Sequence, residues 1–268
     1  MLEKLNGVET YIGGSTADKF KLEEGGELGR FYGYVEAGRL FENAEEVWAI
    51  KPIDPATGKQ QNYRVSSFSE GAGDIYVVDL DGDGKITADG DRTYLGDSNP
   101  DVFGGFGTTF YWKGLMLNLN FTYSIGGKRY WLDESYTFGR TDVYNTLTVV
   151  NDSWTMVGPG ASYPVATHYG IGQNSVFTNK WLHNASYLRL NALNVAYKLP
   201  AEWFRRSVID GIELTFQATN LFTVTKYPGM DPQGNFSSEY SALYGYGTDY
   251  SSYPVAKTYN FGLRFTIK

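Results

Sequence analysis

Cysteine is absent from this chain, which excludes a disulfide framework, a thiol nucleophile, an iron–sulfur cluster and a thiolate zinc site. Histidine is nearly absent. His168 and His183 are the only two, too few for a three-histidine zinc centre. No run of about 18 apolar residues occurs, so no membrane-spanning helix is available. Basic charge is in the minority, with 23 Lys and Arg against 30 Asp and Glu and a net charge of −7. Without a long Lys/Arg run, such a chain is not expected to bind nucleic acid. The opening residues Met1-Leu2-Glu3-Lys4-Leu5-Asn6-Gly7 lack the basic start and apolar run of an export signal.

Glycine (32 residues) and aromatic side chains (22 Tyr, 16 Phe, 6 Trp) are abundant, and together they lean towards β-structure. The 268 residues make one domain or two. Low average hydropathy does not argue for a soluble protein, because only alternate residues of a membrane β-strand face lipid. Periodicity has to decide.

Residues Leu115, Leu117, Leu119, Phe121, Tyr123 and Ile125 alternate with Met116, Asn118, Asn120, Thr122 and Ser124. The same period of two runs through 212–224 (Ile212, Leu214, Phe216, Ala218, Phe222, Val224), 259–267 and 102–112. Period two over this length predicts strands. In 187–199 the apolar parity switches, from Leu188 and Leu190 to Leu193, Val195 and Tyr197, and a bulge near Asn191 would reconcile the two halves. The aromatic, glycine-rich segment 28–41 alternates poorly and is read as a further strand. Eleven residues at about 3.3 Å each, tilted by about 45°, rise roughly 25 Å, the height of an outer-membrane apolar band. Soluble sandwiches also hold long strands. The connections discriminate: 42–100, 127–184 and 226–256 are long, whereas Lys113-Gly114 and 200–210 are short. Membrane barrels alternate long outer loops with short periplasmic turns in this way.

Asp79-Leu80-Asp81-Gly82-Asp83-Gly84-Lys85-Ile86-Thr87 opens like an EF-hand calcium loop. Asp79, Asp81 and Asp83 would supply carboxylates, Gly84 the sharp turn and Lys85 a carbonyl, with Thr87 next and Ile86 turned inward. The twelfth position is Gly90, so Asp91 would supply the last carboxylate through a one-residue offset. No cofactor is required; calcium in the 79–91 loop is the one candidate, set against a solvated acidic turn that binds nothing. The long loops carry Trp131, Trp154, Trp181 and Tyr244 as candidates for contact with a sugar or a partner; the alternative is packing within the loops. His168 and His183 have no nucleophile or acid at a recognisable spacing and read as surface residues. Asp133 and Glu134 are too close in sequence for glycosidase geometry. No catalytic residue is assigned, and the chain is not read as an enzyme.

Several ordered strings carry a resemblance. They are Arg30-Phe31-Tyr32-Gly33-Tyr34, the acidic loop followed by Asp91-Arg92-Thr93, and Asn99-Pro100-Asp101. Ala185-Ser186-Tyr187-Leu188-Arg189-Leu190, Thr219-Asn220-Leu221-Phe222, Gly229-Met230-Asp231-Pro232 and Thr258-Tyr259-Asn260-Phe261 follow. From residue 28 onward the chain resembles the C-terminal barrel region of SusC/RagA-type TonB-linked outer membrane transporters; residues 1–27 stay unassigned. The resemblance implies an all-β fold, an antiparallel transmembrane barrel segment with its surface in outer membrane lipid. It also implies uptake of an oligosaccharide, or of a peptide, with a SusD-like surface lipoprotein and a TonB complex engaged by regions outside this chain. Six strands, or eight if 62–68 and 74–79 pair, fall short of a 22-stranded plugged barrel. The expectation is therefore the last six to eight strands of such a barrel. A self-contained small barrel or sandwich that binds glycan is the alternative.

Overall fold

The computed structural model describes residues 10–12, 19–23, 25–49, 71–84, 86–137, 145–166, 174, 176–234 and 247–268. The chain divides into two compact units. A sheet unit holds 99–127, 184–234 and 252–268, and a loop unit holds 1–98, 128–183 and 235–251.

The sheet unit is a meander of five antiparallel strands: β1 (Val102–Trp112), β2 (Leu115–Ile125), β3 (Tyr187–Lys198), β4 (Ile209–Thr225) and β5 (Thr258–Ile267). Their order is β5-β4-β3-β2-β1. Register keeps the alternation in step from strand to strand. Phe110, Leu117, Val195, Phe216 and Phe261 form one cross-strand row. The next row is Thr109, Asn118, Asn194, Gln217 and Asn260. Successive residues point to opposite faces, so one face is largely apolar and the other largely polar, with Phe103, Tyr111 and Met116 as the large exceptions on the second.

The expected bulge is present. Leu190 pairs with Phe121 and Ala192 with Asn120, which leaves Asn191 as the extra residue. On the β4 side the register passes from Leu190–Phe222 to Ala192–Thr219, and Asn220 takes φ 51. At the β1–β2 turn Lys113 and Gly114 have φ 43 and 85, the two positive values that a two-residue type I′ hairpin needs.

Segment 28–41 differs from the reading as one barrel strand. It splits into Arg30–Tyr34, paired with Arg92–Asp97, and Glu36–Leu40, paired with Ile75–Val77, all in the loop unit. The break at Val35 and the positive φ of Gly38 explain the poor alternation, because each half answers to a different partner. Residues 62–68 lie outside the described residues. Among the described residues the sheet therefore has five strands and does not close, so no self-contained eight-stranded barrel is formed.

The loop unit has its own hydrophobic core of Phe31, Phe41, Val47, Ile75, Val77, Tyr130, Phe177 and Trp181. Lys128–Trp131 forms the middle of a three-stranded sheet with Leu182–Asn184 and Thr248–Asp249. Among the described residues no helix is long and apolar enough to cross a membrane, and that test says nothing about strands.

Candidate functional site

The two faces of the sheet differ in what they can do. On the polar face the Asn118 amide donates to Thr109 Oγ1 at 2.8 Å, and the Asn194 amide donates to Asn118 Oδ1 at 3.0 Å. This ladder links β1, β2 and β3 by side chains as well as backbone. On the apolar face aromatic pairs span the strands: Phe106 stacks on Phe121 and Phe216 packs on Phe261, both at 5.0 Å between ring centres. Nothing described covers that face at its margins. Phe110 is 57% exposed, Phe222 42% and Phe261 82%. An apolar surface of this extent marks contact with lipid or protein.

Two of the motif strings meet in a buried ion pair. Arg189 on β3 donates from one terminal nitrogen to both carboxylate oxygens of Asp231 at 2.8 Å, and from the other to Gln233 Oε1 at 2.7 Å. Arg189 Nε also donates to Thr223 Oγ1 on β4. Both charged groups are buried, and removing one partner of such a pair costs about 3–5 kcal/mol because the other charge is stranded. The pair fastens the Gly229–Gln233 stretch, at the start of the long connection, to the polar face.

The acidic loop folds largely as its spacing dictates. Asp79 Oδ1 accepts from Gly82 N at 2.7 Å and its Oδ2 from Gly84 N at 2.7 Å. Gly82 and Gly84 take φ 74 and 79, and Ile86 is buried in the core. Asp91 is fully buried, with its two oxygens accepting from Leu80 N (2.8 Å) and Thr87 N (2.6 Å). Carboxylate oxygens of Asp79, Asp81 and Asp91 lie within 4.8 Å of one another. Two oxygens on one calcium ion, each about 2.3–2.6 Å from it, are separated by no more than about 5 Å. Gly90 explains the offset: a Cβ there would lie 2.2 Å from Asp81 Oδ2. Asp83 is outside this trio, Thr87 Oγ1 accepts from Gly90 N, and Lys85 lies outside the described residues.

The aromatic candidates turn out to be mostly structural. Trp181 is fully buried in the loop-unit core, and Trp131 is 9% exposed with its ring edge-on to His183 at 6.1 Å. Their faces are used by packing and are not open to a ligand. Trp154 is half-buried against the same core, and Tyr244 lies outside the described residues, as does His168.

A cluster that the sequence reading passed over surrounds Glu134. Its buried carboxylate accepts from Tyr163 Oη at 2.8 Å and meets His183 Nε2 at 2.5 Å. His183 is therefore partly buried and partnered, not a surface residue. Burial first, then the neighbouring Glu134 charge, raises the Tyr163 phenol above its ordinary range. Residues 29 and 49 positions apart build this cluster, and no local pattern announces it. It holds three segments together and contains no nucleophile.

Lys19 is the other unforeseen group. It is 7% exposed, with its ammonium 4.0 Å from the centre of the Tyr130 ring, and burial pushes it down to about 7. Burial also raises the Tyr130 phenol to about 12, against the opposing hydrogen bond with Ser135. An unfolded lysine keeps a value of about 10.4, so between that pH and the folded value the unfolded state binds more protons. Burying the charge costs its full amount below pH 7, and the cost vanishes as pH rises through that window. Melting temperature should rise between pH 7 and pH 10 in the native chain. Lys19→Met should raise it at pH 7 and flatten this rise; identical pH profiles in scanning calorimetry would refute the assignment.

No family model matches the chain. TonB-dependent receptor P3 of Formosa agariphila is 30% identical over 246 residues, covering 90% of this chain and 22% of the receptor. TonB-dependent receptor SusC of Bacteroides thetaiotaomicron is 25% identical over 190 residues, covering 69% of this chain and 17% of SusC. Among solved structures, the RagAB peptide transporter superposes with a TM-score of 0.63 at 25% identity, over 98% of this chain and 25% of that one. The RagAB peptide importer in its closed-closed state gives 0.64 at 27% identity. The chain spans about a quarter, or less, of the length of these relatives. By sequence and by fold alike, the chain is thus similar to SusC/RagA-type TonB-linked outer membrane transporters over about a quarter of their length.

Proposed function

We propose that the chain forms the C-terminal barrel portion of a TonB-dependent outer membrane nutrient importer. The observation that carries this reading is the two-faced sheet, whose apolar face is open on β1, β4 and β5 and half-buried along most of β2 and β3. A soluble sandwich would bury that face against a second sheet. In this role the chain contributes strands and outer loops, is not an enzyme, and works with a SusD-like lipoprotein and with TonB through regions outside it. The lack of native cysteine makes the test clean. Single cysteines at Leu119 or Phe261 should carry a fluorophore that brominated lipid quenches after reconstitution of the chain into vesicles. Cysteines at Asn118 or Asn194 should escape quenching and react with a water-soluble maleimide. Equal behaviour of the two sets would overturn the membrane reading.

The proposed cargo is an oligosaccharide. A peptide is the second reading, favoured by the likeness to the RagAB peptide transporter. Deletion of the gene in its host should abolish growth on oligosaccharide as carbon source and spare growth on peptides; the reverse loss assigns a peptide.

Calcium at Asp79, Asp81 and Asp91 is part of the same proposal, as a staple for the loop and not as a reagent. Hard carboxylate oxygens around glycine-bearing turns suit that ion. Millimolar calcium should raise the melting temperature and slow proteolysis near Asp81, and Asp79→Asn should remove both effects. An unchanged melting curve with calcium would remove the site.

A further inference from the structure

At the end of the sheet that carries the short turns, the charge balance of the chain reverses. Lys113 sits in the β1–β2 turn and Lys198 closes β3, where its N–H donates to the Gly114 carbonyl at 2.9 Å. Arg205 and Arg206 follow in the β3–β4 turn, after the short helical stretch Ala201–Phe204. All four side chains are exposed, and among the described residues no carboxylate forms an ion pair with any of them. The acidic residues at this end are Glu202 and Asp210, both exposed, and Glu213, which lies opposite Lys198 in register and pairs with Arg264. Two exposed indoles accompany the cations: Trp112 at 68% and Trp203 at 69%. The Lys113 ammonium lies 5.5 Å from the Trp112 ring centre. Lys268 is differently engaged, with its Nζ donating to the Ser207 carbonyl at 3.1 Å, which knits β5 to the β3–β4 turn.

Each part of this arrangement has a physical reading. Tryptophan prefers the level where hydrocarbon gives way to headgroups. Clustered Lys and Arg beside such an anchor attract anionic lipid. The continuous apolar face ends at the same place. We propose that the short-turn end of the sheet is a headgroup collar, in which Lys113, Lys198, Arg205 and Arg206 bind the phosphates of anionic glycerophospholipids while Trp112 and Trp203 seat at the interface. The collar rests on the membrane reading above and adds lipid selectivity to it. Short turns face the periplasm in outer-membrane barrels, so the lipids concerned are those of the inner leaflet.

Flotation of the full chain with phosphatidylcholine vesicles, with and without phosphatidylglycerol, tests both statements separately. Binding to pure phosphatidylcholine reports on the apolar face alone, and its absence counts against the membrane reading. Phosphatidylglycerol should strengthen binding at low salt by about fivefold per basic residue engaged, and about 1 M salt should erase that gain. The variant carrying Lys113→Asn, Lys198→Gln, Arg205→Gln and Arg206→Gln should keep phosphatidylcholine binding, which shows that it folds, and lose the gain. No gain in the native chain, or a gain retained by the variant, overturns the collar. Release of the chain by inorganic phosphate, but not by chloride of equal ionic strength, would overturn it in favour of a free-phosphate site.

Discussion

Antiparallel pairing of β3 with β2 on one side and β4 on the other holds the side-chain alternation in phase across the sheet. A slip of one residue at either seam would move every apolar residue of a strand to the polar face. The chain meets this constraint even where its own pattern breaks. At Asn191 the parity of β3 changes, and the extra residue is absorbed by a bulge that leaves Leu190 opposite Phe121 and Leu193 opposite Leu119. β4 compensates on its side through Asn220 at positive φ, a conformation that asparagine tolerates better than most residues. The apolar rows stay in phase because both strands yield at the same level.

The connections obey a different rule. A connecting segment normally runs over a surface, because its backbone groups need water or partners. Here much of the long connecting sequence folds around a core of its own, with Phe31, Phe41 and Trp181 fully buried. Polar groups come inside with their partners. Asp91 takes two backbone N–H groups, and Glu134 takes Tyr163 and His183. The Lys19 ammonium lies over the Tyr130 ring, and burial pushes its protonation well below the ordinary lysine range. Aromatic abundance thus has two meanings in one chain: exposed rows on the sheet and packed rings in the loop unit.

What could be read beforehand follows from the range of the interactions. Strands β1 to β5 were legible because period two is local, and the bulge was legible because parity is too. The acidic loop was legible for the same reason: Asp79, Gly84 and Ile86 act within a few residues of one another. Segment 28–41 was not, since its two halves pair with residues 35 to 67 positions away. Gly33 illustrates the difficulty. It lies in a strand beneath Phe177, whose ring would meet a Cβ at 2.6 Å, and nothing near Gly33 in sequence signals that contact. Trp131 and Trp181 were misjudged for a related reason. A tryptophan in a polar loop looks like a ligand contact until the loop is seen to have an interior.

The outer strands decide what the sheet requires of its surroundings. β1 and β5 each have a hydrogen-bonded neighbour on one side only among the described residues, so along each free edge N–H and C=O groups point outward. In water such an edge is tolerable, though it invites pairing with another chain. In hydrocarbon each unpaired group costs several kcal/mol, and over strands of ten and eleven residues that penalty exceeds the roughly 5–15 kcal/mol by which a domain is normally stable. On the proposed membrane reading the apolar face meets lipid while the open edges oppose it, and neighbouring strands beside β1 and β5 would reconcile the two demands. Likeness to about a quarter of a TonB-dependent transporter is what that reconciliation requires, since a barrel of that class supplies a neighbour for every strand.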